Sequence, residues 1–430
     1  MTADTIFAIA SGAGRSAIAV MRISGPASGP AVASLCRGRL PQPRVAGFRR
    51  LRAPDGEVLD QALVLWFPGP STETGEDSAE LHLHGSRPVI DAIADLLVRF
   101  GLRPADPGEF SRRAFLNGRI DLVQAEAVHD LVFAETDAQR RQAVRQMEGE
   151  LGALYHGWSD RLRTILAHQE ALIDFPDEDL PQEVEDELLV TLRTVRAEIT
   201  AHLDDHGRGE KLREGLFFAI TGAPNVGKST LINALAQRDV AIVSDIPGTT
   251  RDVLETRVVL GGVPVTLVDT AGLRETTDVI EAEGVRRARA RAEDADLVIS
   301  LVEAGAPAPA DPSPHQLLVA NKADLGAPGP DGALRISART GLGMTELRAR
   351  LAEAAVAMTQ AAGPPPLTRA RHRAALLAAM SHLDDAERAD LPELRGEDLR
   401  LAMRELGRIT GHVGVEDLLD TIFSSFCIGK

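Results

Sequence analysis

The chain has 430 residues and a formal net charge of −16; 44% of its residues are hydrophobic and 26% are charged. This length predicts about two to four domains, each able to bury its own core. The negative charge argues against broad, non-specific binding to polyanions, so any RNA contact should come from local basic patches or from a partner. Cys36 and Cys427 are too few and too far apart for a disulfide framework. With neither a signal-peptide pattern nor a membrane-length apolar run, we expect a cytoplasmic protein with no membrane contact.

The first half of the chain changes from a mixed pattern to a helical one. Within 1–118, strands are predicted at 18–23 and 80–84, the second because apolar and polar side chains alternate. From 119 to 213 the pattern is helical, and one apolar stripe recurs at spacings of three and four residues. The members of this stripe are Leu188, Leu192, Val195, Ile199 and Leu203.

Residues 214–356 alternate strands with helices, which is typical of a doubly wound parallel sheet. Strand-like segments at 254–260 and 263–268 flank Gly261-Gly262, so we expect a hairpin with one antiparallel edge strand. Helical patterning resumes within 357–430, which indicates that the α/β unit is inserted into a helical domain. The predicted fold class is multidomain, with α/β domains combined with an all-α domain.

The segment from Gly222 to Ser229 fits the G-x-x-x-x-G-K-[ST] pattern of a phosphate-binding loop. A strand-like run at 216–220 precedes it and a helix with an apolar face follows it, which is the context that this loop requires. Successive backbone N–H groups and the start of the helix favour bound phosphates. We expect Lys228 to reach the β- and γ-phosphates and the Ser229 hydroxyl to ligate Mg²⁺.

Three further motifs follow in the order and spacing typical of GTPases. Asp269, the first residue of a DTAG segment, lies at a strand end, where it can bind Mg²⁺ through water. The Asp324 carboxylate in the NKAD segment can accept from two guanine N–H donors that adenine lacks, which selects GTP over ATP. Ser337-Ala338-Arg339 can supply a backbone N–H to the guanine carbonyl, and Thr249-Thr250 suits a switch segment with an Mg²⁺ ligand.

Two details concern how GTP would be hydrolysed. Leu273 follows DTAG at the position where many GTPases carry a glutamine that orients the attacking water. Asn225 in the loop, together with Gly248-Thr249-Thr250, resembles GTPases that hold a K⁺ ion against the phosphates. Such an ion could neutralise transition-state charge, the task that an arginine finger performs elsewhere.

Segments along the whole chain resemble the MnmE (TrmE) family of tRNA-modification GTPases. They are MRISG at 21–25, TGED at 74–77, PGEFSRRAFLNGRIDLVQAEAV at 107–128, GAPNVGKSTLINAL at 222–235, DIPGTTRDV at 245–253, DTAGLRE at 269–275, NKAD at 321–324 and FCIGK at 426–430. The N-terminal and C-terminal segments discriminate best, since other P-loop GTPases lack them. The resemblance implies a tetrahydrofolate-binding and dimerisation α/β domain at 1–118, a helical domain split between 119–213 and 357–430 (the second part ending in CIGK), and an inserted Ras-like P-loop G domain at 214–356.

The resemblance also assigns ligands to particular positions. It places K⁺ at Asn225, Ser244, Ile246 and Thr249, Mg²⁺ at Ser229 and Thr250, and the folate at Arg22, Glu80, Arg119 and Lys430. Glu281 matches the family's catalytic glutamate, which is thought to position the attacking water. The GTP-binding positions lie in the motif loops and are Asn225, Val226, Gly227, Lys228, Ser229, Thr230, Ser244, Asp245, Ile246, Pro247, Gly248, Thr249, Thr250, Asp269, Thr270, Ala271, Gly272, Asn321, Lys322, Ala323, Asp324, Ser337, Ala338 and Arg339.

The function that the resemblance implies is K⁺-dependent GTP hydrolysis in tRNA modification. A homodimer would form a heterotetramer with the FAD-containing MnmG (GidA) protein and install a carboxymethylaminomethyl-type group on C5 of the wobble uridine of certain tRNAs. The one-carbon unit would come from 5-formyl- or methylene-tetrahydrofolate. Two alternatives share the GTPase motifs: a ribosome-assembly GTPase of the Era or EngA type, and a nucleotide-gated scaffold with no transfer chemistry of its own.

Overall fold

The computed structural model describes residues 4–12, 14–174, 182–236, 255–269, 295–308, 315–360, 364–414 and 416–429. The chain divides into two compact units. Unit 1 comprises Met1–His129, Gly152–Ser159 and Met403–Lys430, and unit 2 comprises Asp130–Leu151 and Asp160–Ala402. The domain boundaries inferred from the family resemblance stay a prediction.

Unit 1 is built on a six-stranded sheet. Its strands are β1 (Ile6–Ile9), β2 (Ser16–Ser24), β3 (Gly47–Arg52), β4 (Val58–Phe67), β5 (Ser78–Gly85) and β6 (Arg103–Pro104). They lie in the order β3-β4-β5-β2-β1-β6. Every neighbouring pair is antiparallel except β1 and β6, which are parallel. The strands predicted at 18–23 and 80–84 fall within β2 and β5, so both predictions are confirmed.

Helices at 28–35 and 87–99 cover one face of this sheet. The other face is covered in part, where Phe110 packs with Ile6 and Ala8, and elsewhere carries exposed apolar side chains. The helices of unit 1 are α1 (Ser28–Leu35), α2 (Arg87–Arg99), α3 (Glu109–Leu116) and the start of α4 (Leu122–Val132). Val32, Leu96 and Leu81 are buried in one core cluster of α1, α2 and the sheet, and burial of such a side chain contributes about 1.5–3 kcal/mol. On the other face Phe48 and Leu63 are cross-strand partners and remain 63% and 42% exposed.

Unit 2 contains a second six-stranded sheet, which holds the predicted motif loops. Its strands are β7 (Leu216–Gly222), β8 (Glu255–Leu260), β9 (Val263–Asp269), β10 (Leu297–Glu303), β11 (Gln316–Asn321) and β12 (Leu334–Arg335). The order is β12-β11-β10-β7-β9-β8, and all pairs are parallel except the β8–β9 hairpin at the edge. The predicted parallel sheet and its antiparallel edge strand are confirmed.

Along the chain, helices precede, separate and follow the strands of this sheet. They are α5 (Asp137–Met147), α6 (Glu150–Asp174), α7 (Gln182–Leu203), α8 (Arg208–Glu214), α9 (Lys228–Ala236), α10 (Met344–Thr359), α11 (Ala370–Arg388), α12 (Pro392–Thr410) and α13 (Glu416–Ser424), of which α6 and α12 run into both units and α13 belongs to unit 1. None of the helices in the described ranges combines the length and apolar character that a bilayer crossing requires.

Helices from before and after the sheet of unit 2 pack together. Four members of the predicted apolar stripe on α7, Leu188 to Ile199, are fully buried, while Leu203 is partly exposed. Beside the stripe, Arg193 Nε donates to Glu387 of α11 at 2.7 Å, and Arg196 Nη1 lies 3.1 Å from Asp384. This contact between α7 and α11 is what insertion of an α/β unit into a helical domain requires.

Candidate functional site

The predicted phosphate-binding loop joins β7 to α9 at the carboxyl edge of the parallel sheet. Gly227 has a φ of +102°, and a Cβ added there would lie 2.4 Å from Nδ2 of Asn321. Only glycine therefore allows both this backbone conformation and this close approach. Asn225 also has a positive φ, +63°, a conformation that asparagine tolerates better than most residues.

The loop folds around the side chain of Lys228, which is only 6% exposed. Its Nζ donates to the carbonyl oxygens of Gly222 at 2.8 Å and Ala223 at 2.9 Å. A buried ammonium requires such acceptors. Since it has three N–H donors, one is left for a phosphate oxygen in the loop.

Ser229 and Asp269 bring two oxygen donors together beside the loop. The Ser229 hydroxyl donates to Oδ2 of Asp269 at 3.2 Å, and Asp269 is 9% exposed. Their elements meet because β9, which ends at Asp269, is the parallel neighbour of β7. A hydroxyl and a carboxylate are oxygen ligands of the kind that Mg²⁺ prefers, so the described part of this donor set fits the ion.

The side chain of Asn321 joins the base-recognition loops to the phosphate-binding loop by hydrogen bonds. The side chain is 4% exposed; Nδ2 donates to the carbonyl oxygen of Val226 at 2.8 Å, and Oδ1 accepts from the backbone N–H of Ala338 at 3.0 Å. Both ends of the buried amide are therefore satisfied. One side chain thus fixes the spacing between three loops from different strands.

Asp324 is held as an anion at the mouth of the site. A hydrogen bond from the Ser337 hydroxyl lowers the pKa of this carboxyl below 3.8, and the Arg339 guanidinium adds to the effect, against a small opposing effect of burial. Arg339 Nη2 lies 3.2 Å from Oδ2 of Asp324. The carboxylate can therefore accept hydrogen bonds from a base at neutral pH.

These loops enclose a cavity of about 290 Å³. It is lined by residues from all of the described motif loops except DTAG, namely Asn225, Gly227, Thr230, Asn321, Lys322, Asp324, Leu325, Ser337, Ala338 and Arg339. Lys322 has a φ of +61°, and its Nζ pairs with Glu303 at 3.1 Å. Val226 and Ala323 are buried behind the cavity, at 3% and 6% exposure. The described GTP-binding candidates are thus brought together on one side of unit 2.

Other predicted positions lie outside the described residues. They are Ser244, Asp245, Ile246, Pro247, Gly248, Thr249, Thr250, Thr270, Ala271, Gly272, Glu281 and Lys430. The Mg²⁺ set is therefore described at Ser229 alone and the K⁺ set at Asn225 alone.

The described folate candidates belong to unit 1. Arg22 on β2 and Glu80 on β5 are cross-strand partners, and Arg22 Nη2 donates to Oε1 of Glu80 at 3.4 Å. The Arg22 guanidinium also lies 2.8 Å from Glu73 and 5.8 Å from the centre of the Phe110 ring. Arg119 lies against the TGED turn.

Glycine in that turn leaves room for Arg119. Gly75 has a φ of +79°, and a Cβ added there would lie 3.3 Å from Cγ of Arg119. Arg119 thus contacts the turn that also presents Glu73 to Arg22. The structure records no direct contact between Arg119 and the Arg22–Glu80 pair.

Unit 1 also holds a buried ionic network that the sequence reasoning missed. Arg113 is 7% exposed and donates to Glu109 at 2.9 Å, to Asp4 at 2.9 Å and to Glu76 at 3.1 Å. Arg103 donates to Asp4 at 2.6 Å. Although burial acts to raise the pKa of Glu109, hydrogen bonds from Arg103, the Asp106 N–H and Arg113 lower it below 4.5. The unlike charges of the TGED and PGEFSRR segments could have indicated this network, because such charges can pair even when the segments lie far apart in sequence.

Comparisons with known proteins cover the chain almost end to end. The family model described as the GTP-binding protein TrmE N-terminus matches residues 5–119, and the one described as the MnmE helical domain matches residues 122–427. The chain is 61% identical over 431 residues to the tRNA modification GTPase MnmE of Gluconacetobacter diazotrophicus, covering 99% of this chain and 98% of that protein. It is 56% identical over 441 residues to the protein of the same name from Granulibacter bethesdensis, covering 100% of both chains.

Among solved structures, a variant of Era from Aquifex aeolicus bound to GDP and AlF4⁻ aligns with 41% of this chain and 69% of its own. The sequence identity is 24% and the TM-score is 0.25.

Proposed function

The chain belongs to the MnmE family of tRNA modification GTPases, and from this membership we propose that it hydrolyses GTP as a step in modifying the wobble uridine of certain tRNAs. The observation that carries the proposal is the cavity of unit 2, which Asp324 and Asn321 line together with residues of the loop that holds the Lys228 ammonium. Membership over the full length also sets aside the ribosome-assembly alternative, which would require an RNA-binding module of another kind.

Different residues of the described site bind the base and the phosphates. Asp324 accepts hydrogen bonds from the guanine N–H edge. Adenine lacks these two donors, so it would leave the carboxylate without hydrogen-bond partners on the base. Ser337, Ala338 and Arg339 line the same cavity. Because the Ala338 N–H is donated to Asn321, the proposed contact with the guanine carbonyl would come from another backbone N–H of this segment. Lys228 is held to reach the β- and γ-phosphates. Ser229 and Thr250 would hold Mg²⁺ directly and Asp269 through water, and the ion when bound supplies charge neutralisation to the phosphates.

A K⁺ ion completes the proposed hydrolytic site. Its proposed ligands are Asn225, Ser244, Ile246 and Thr249. Asn225 supports this assignment because it lies in the wall of the nucleotide cavity. Glu281 would position the attacking water. This role would otherwise be unfilled, because a leucine follows DTAG where many GTPases carry a glutamine that orients the water.

The folate donor is proposed to bind unit 1 at Arg22, Glu80, Arg119 and Lys430. A carboxylate such as Glu80 can accept from a pterin amino edge, and guanidinium groups suit the folate carboxylates. The test is equilibrium binding of 5-formyl-tetrahydrofolate to the wild type, to Arg22→Ala and to Arg52→Ala, an arginine on β3 outside the proposed site. Weaker binding by Arg22→Ala alone supports the site. Equal binding by all three proteins contradicts it.

A homodimer and a complex with FAD-containing MnmG are the proposed assembly. The exposed pair Phe48 and Leu63 on strands β3 and β4 supports dimerisation through unit 1, because apolar side chains that neighbour each other in this way are common at interfaces. Phe48→Asp should raise the monomer fraction in sedimentation velocity, whereas Arg87→Asp, at an exposed arginine on α2 away from this pair, should leave more dimer. MnmG pull-down with the wild type then tests the larger complex.

The function itself is tested by wobble-nucleoside analysis of tRNA from cells that lack this chain. We expect the carboxymethylaminomethyl-type nucleoside to disappear and to return when the wild-type gene is supplied. A Ser229→Ala variant should not restore it, since the Mg²⁺ ligand is lost. Unchanged wobble nucleosides in the deleted cells would contradict the proposed role in tRNA modification.

A further inference from the structure

Three side chains with metal-binding donor atoms meet between α11 and α12. His382 and Asp385 are three residues apart on α11 and so share a face of that helix. Asp398 lies on α12, and one donor atom from each of the three lies within 4.8 Å of the others. Within the ranges that the structure describes, this is the one group of three such donors. It lies outside the nucleotide and folate sites and has no part in the proposed function.

Among the described residues, the negative charge of the cluster is offset by one exposed ion pair. Neither His382 nor Asp398 has a side-chain hydrogen bond or an ion pair to any described residue. Asp385 pairs with Arg388 at 2.8 Å, but both side chains are more than half exposed, so this pair contributes little.

We propose that His382, Asp385 and Asp398 bind one Zn²⁺ ion between α11 and α12, with water completing its coordination shell. An imidazole nitrogen with two carboxylates suits Zn²⁺, whereas Mg²⁺ and Ca²⁺ favour oxygen ligands alone. Donors about 2.1 Å from a tetrahedral Zn²⁺ lie about 3.4 Å apart. The present spacing of up to 4.8 Å closes to that value when each donor moves by less than about 1 Å, which side-chain rotation allows. The ion neutralises both carboxylates and fastens the two helices together.

The test uses the full chain with excess Mg²⁺ and GDP, so that the nucleotide site is already occupied. Co²⁺ binding is followed by its visible d–d absorption, and Zn²⁺ is then used to displace it. We expect one equivalent per chain and at least about a tenfold loss of affinity in His382→Ala and in Asp398→Asn. The matched control is His206→Ala, because His206 is an exposed histidine of the same unit; it should bind like the wild type.

A second variant separates ligation from an indirect structural effect. His382→Cys keeps a donor at the position, so it should bind Co²⁺ and add a sulfur-to-cobalt charge-transfer band. The proposal is overturned if the wild type does not bind Co²⁺ or Zn²⁺, or if His382→Ala binds as the wild type does. It is also overturned if His382→Cys shows no new band.

Discussion

The nucleotide cavity of unit 2 and the ionic network of unit 1 use charged motif residues in opposite ways. In unit 2, two carbonyl oxygens hold Lys228, and the Ser337 hydroxyl and the exposed Arg339 hold Asp324, which leaves bonding capacity for a ligand. In unit 1, Arg113 donates to three different carboxylates, so its guanidinium is used within the protein. Charged residues of the family motifs thus form a ligand-binding site in unit 2 and stabilise the fold in unit 1.

This difference separates function from stability in the family motifs. Changes at the nucleotide cavity should alter affinity and turnover while the fold persists. Changes in the network of unit 1 should alter the free energy of unfolding and leave guanine-nucleotide affinity intact. Five predictions test this division, beginning with the largest effect.

Asp324→Asn should weaken GTP binding by about 10³-fold, because an amide cannot accept from both guanine N–H donors. The same change should improve binding of xanthosine triphosphate, whose carbonyl can accept from the new amide N–H. Titration with a fluorescent nucleotide measures both effects, and Asp331→Asn, an exposed carboxylate beyond the cavity, is the control. Wild-type GTP affinity in Asp324→Asn would assign base recognition to another group.

Arg113→Ala should lower the free energy of unfolding by about 3 kcal/mol, because a buried guanidinium that bonds three carboxylates is lost. Arg103 still pairs with Asp4 and Glu109, whereas Glu76 loses its cation. Arg112→Ala is the matched control, since Arg112 is adjacent and its ion pair within the described part of the chain is with the exposed Asp420. Chemical denaturation measures stability and a GTP titration measures affinity on the same proteins. If both variants unfold alike, the network contributes no stability beyond that of a surface pair.

Glu281→Ala should retain GTP affinity and lose turnover by about 10²-fold, because it removes the group proposed to position water. Phosphate release under saturating GTP measures the loss. Glu283→Ala provides a control two residues along the chain. Near-normal turnover in Glu281→Ala would mean that another residue activates the water.

Replacing K⁺ by Na⁺ should slow GTP hydrolysis by about tenfold or more, because the proposed ligands of the cation would fit the smaller ion poorly. Asn225→Ala should abolish the difference between the two salts by lowering the rate in K⁺. Rates are compared at constant ionic strength. Equal turnover in the two salts would remove the cation from the mechanism.

Acid should destabilise unit 1 through Asp4 and Glu109. Burial opposes the effect, but Arg103 and Arg113 hold the pKa of each carboxyl below its unfolded value of 3.8 or 4.5. A lowered folded-state pKa contributes stability above the unfolded pKa, and this contribution is lost as pH falls through the folded value. Denaturation below pH 4.5 should therefore show a steeper loss in the wild type than in Arg113→Ala. Parallel curves for the two proteins would contradict this linkage.

The sequence predicted the sheet of unit 2 and its edge hairpin because periodic apolar strands and a Gly-Gly turn are local signals. It also placed the motif loops at strand ends, since phosphate-binding loops require that context. The hydrogen bonds between Asn321 and the phosphate-binding loop, and the pairing of Asp4 with Arg113, could not be predicted in the same way. Both join residues about a hundred positions apart, and such contacts depend on sheet register and loop paths that local patterns do not encode.

The most direct test of the central claim is competition for the purified chain between a fluorescent guanine nucleotide and unlabelled GTP or ATP. Recognition of guanine by Asp324 in the cavity of unit 2 predicts that GTP displaces the probe and that ATP at the same concentration does not. Equal displacement by both nucleotides, or no binding of the guanine probe, would contradict it.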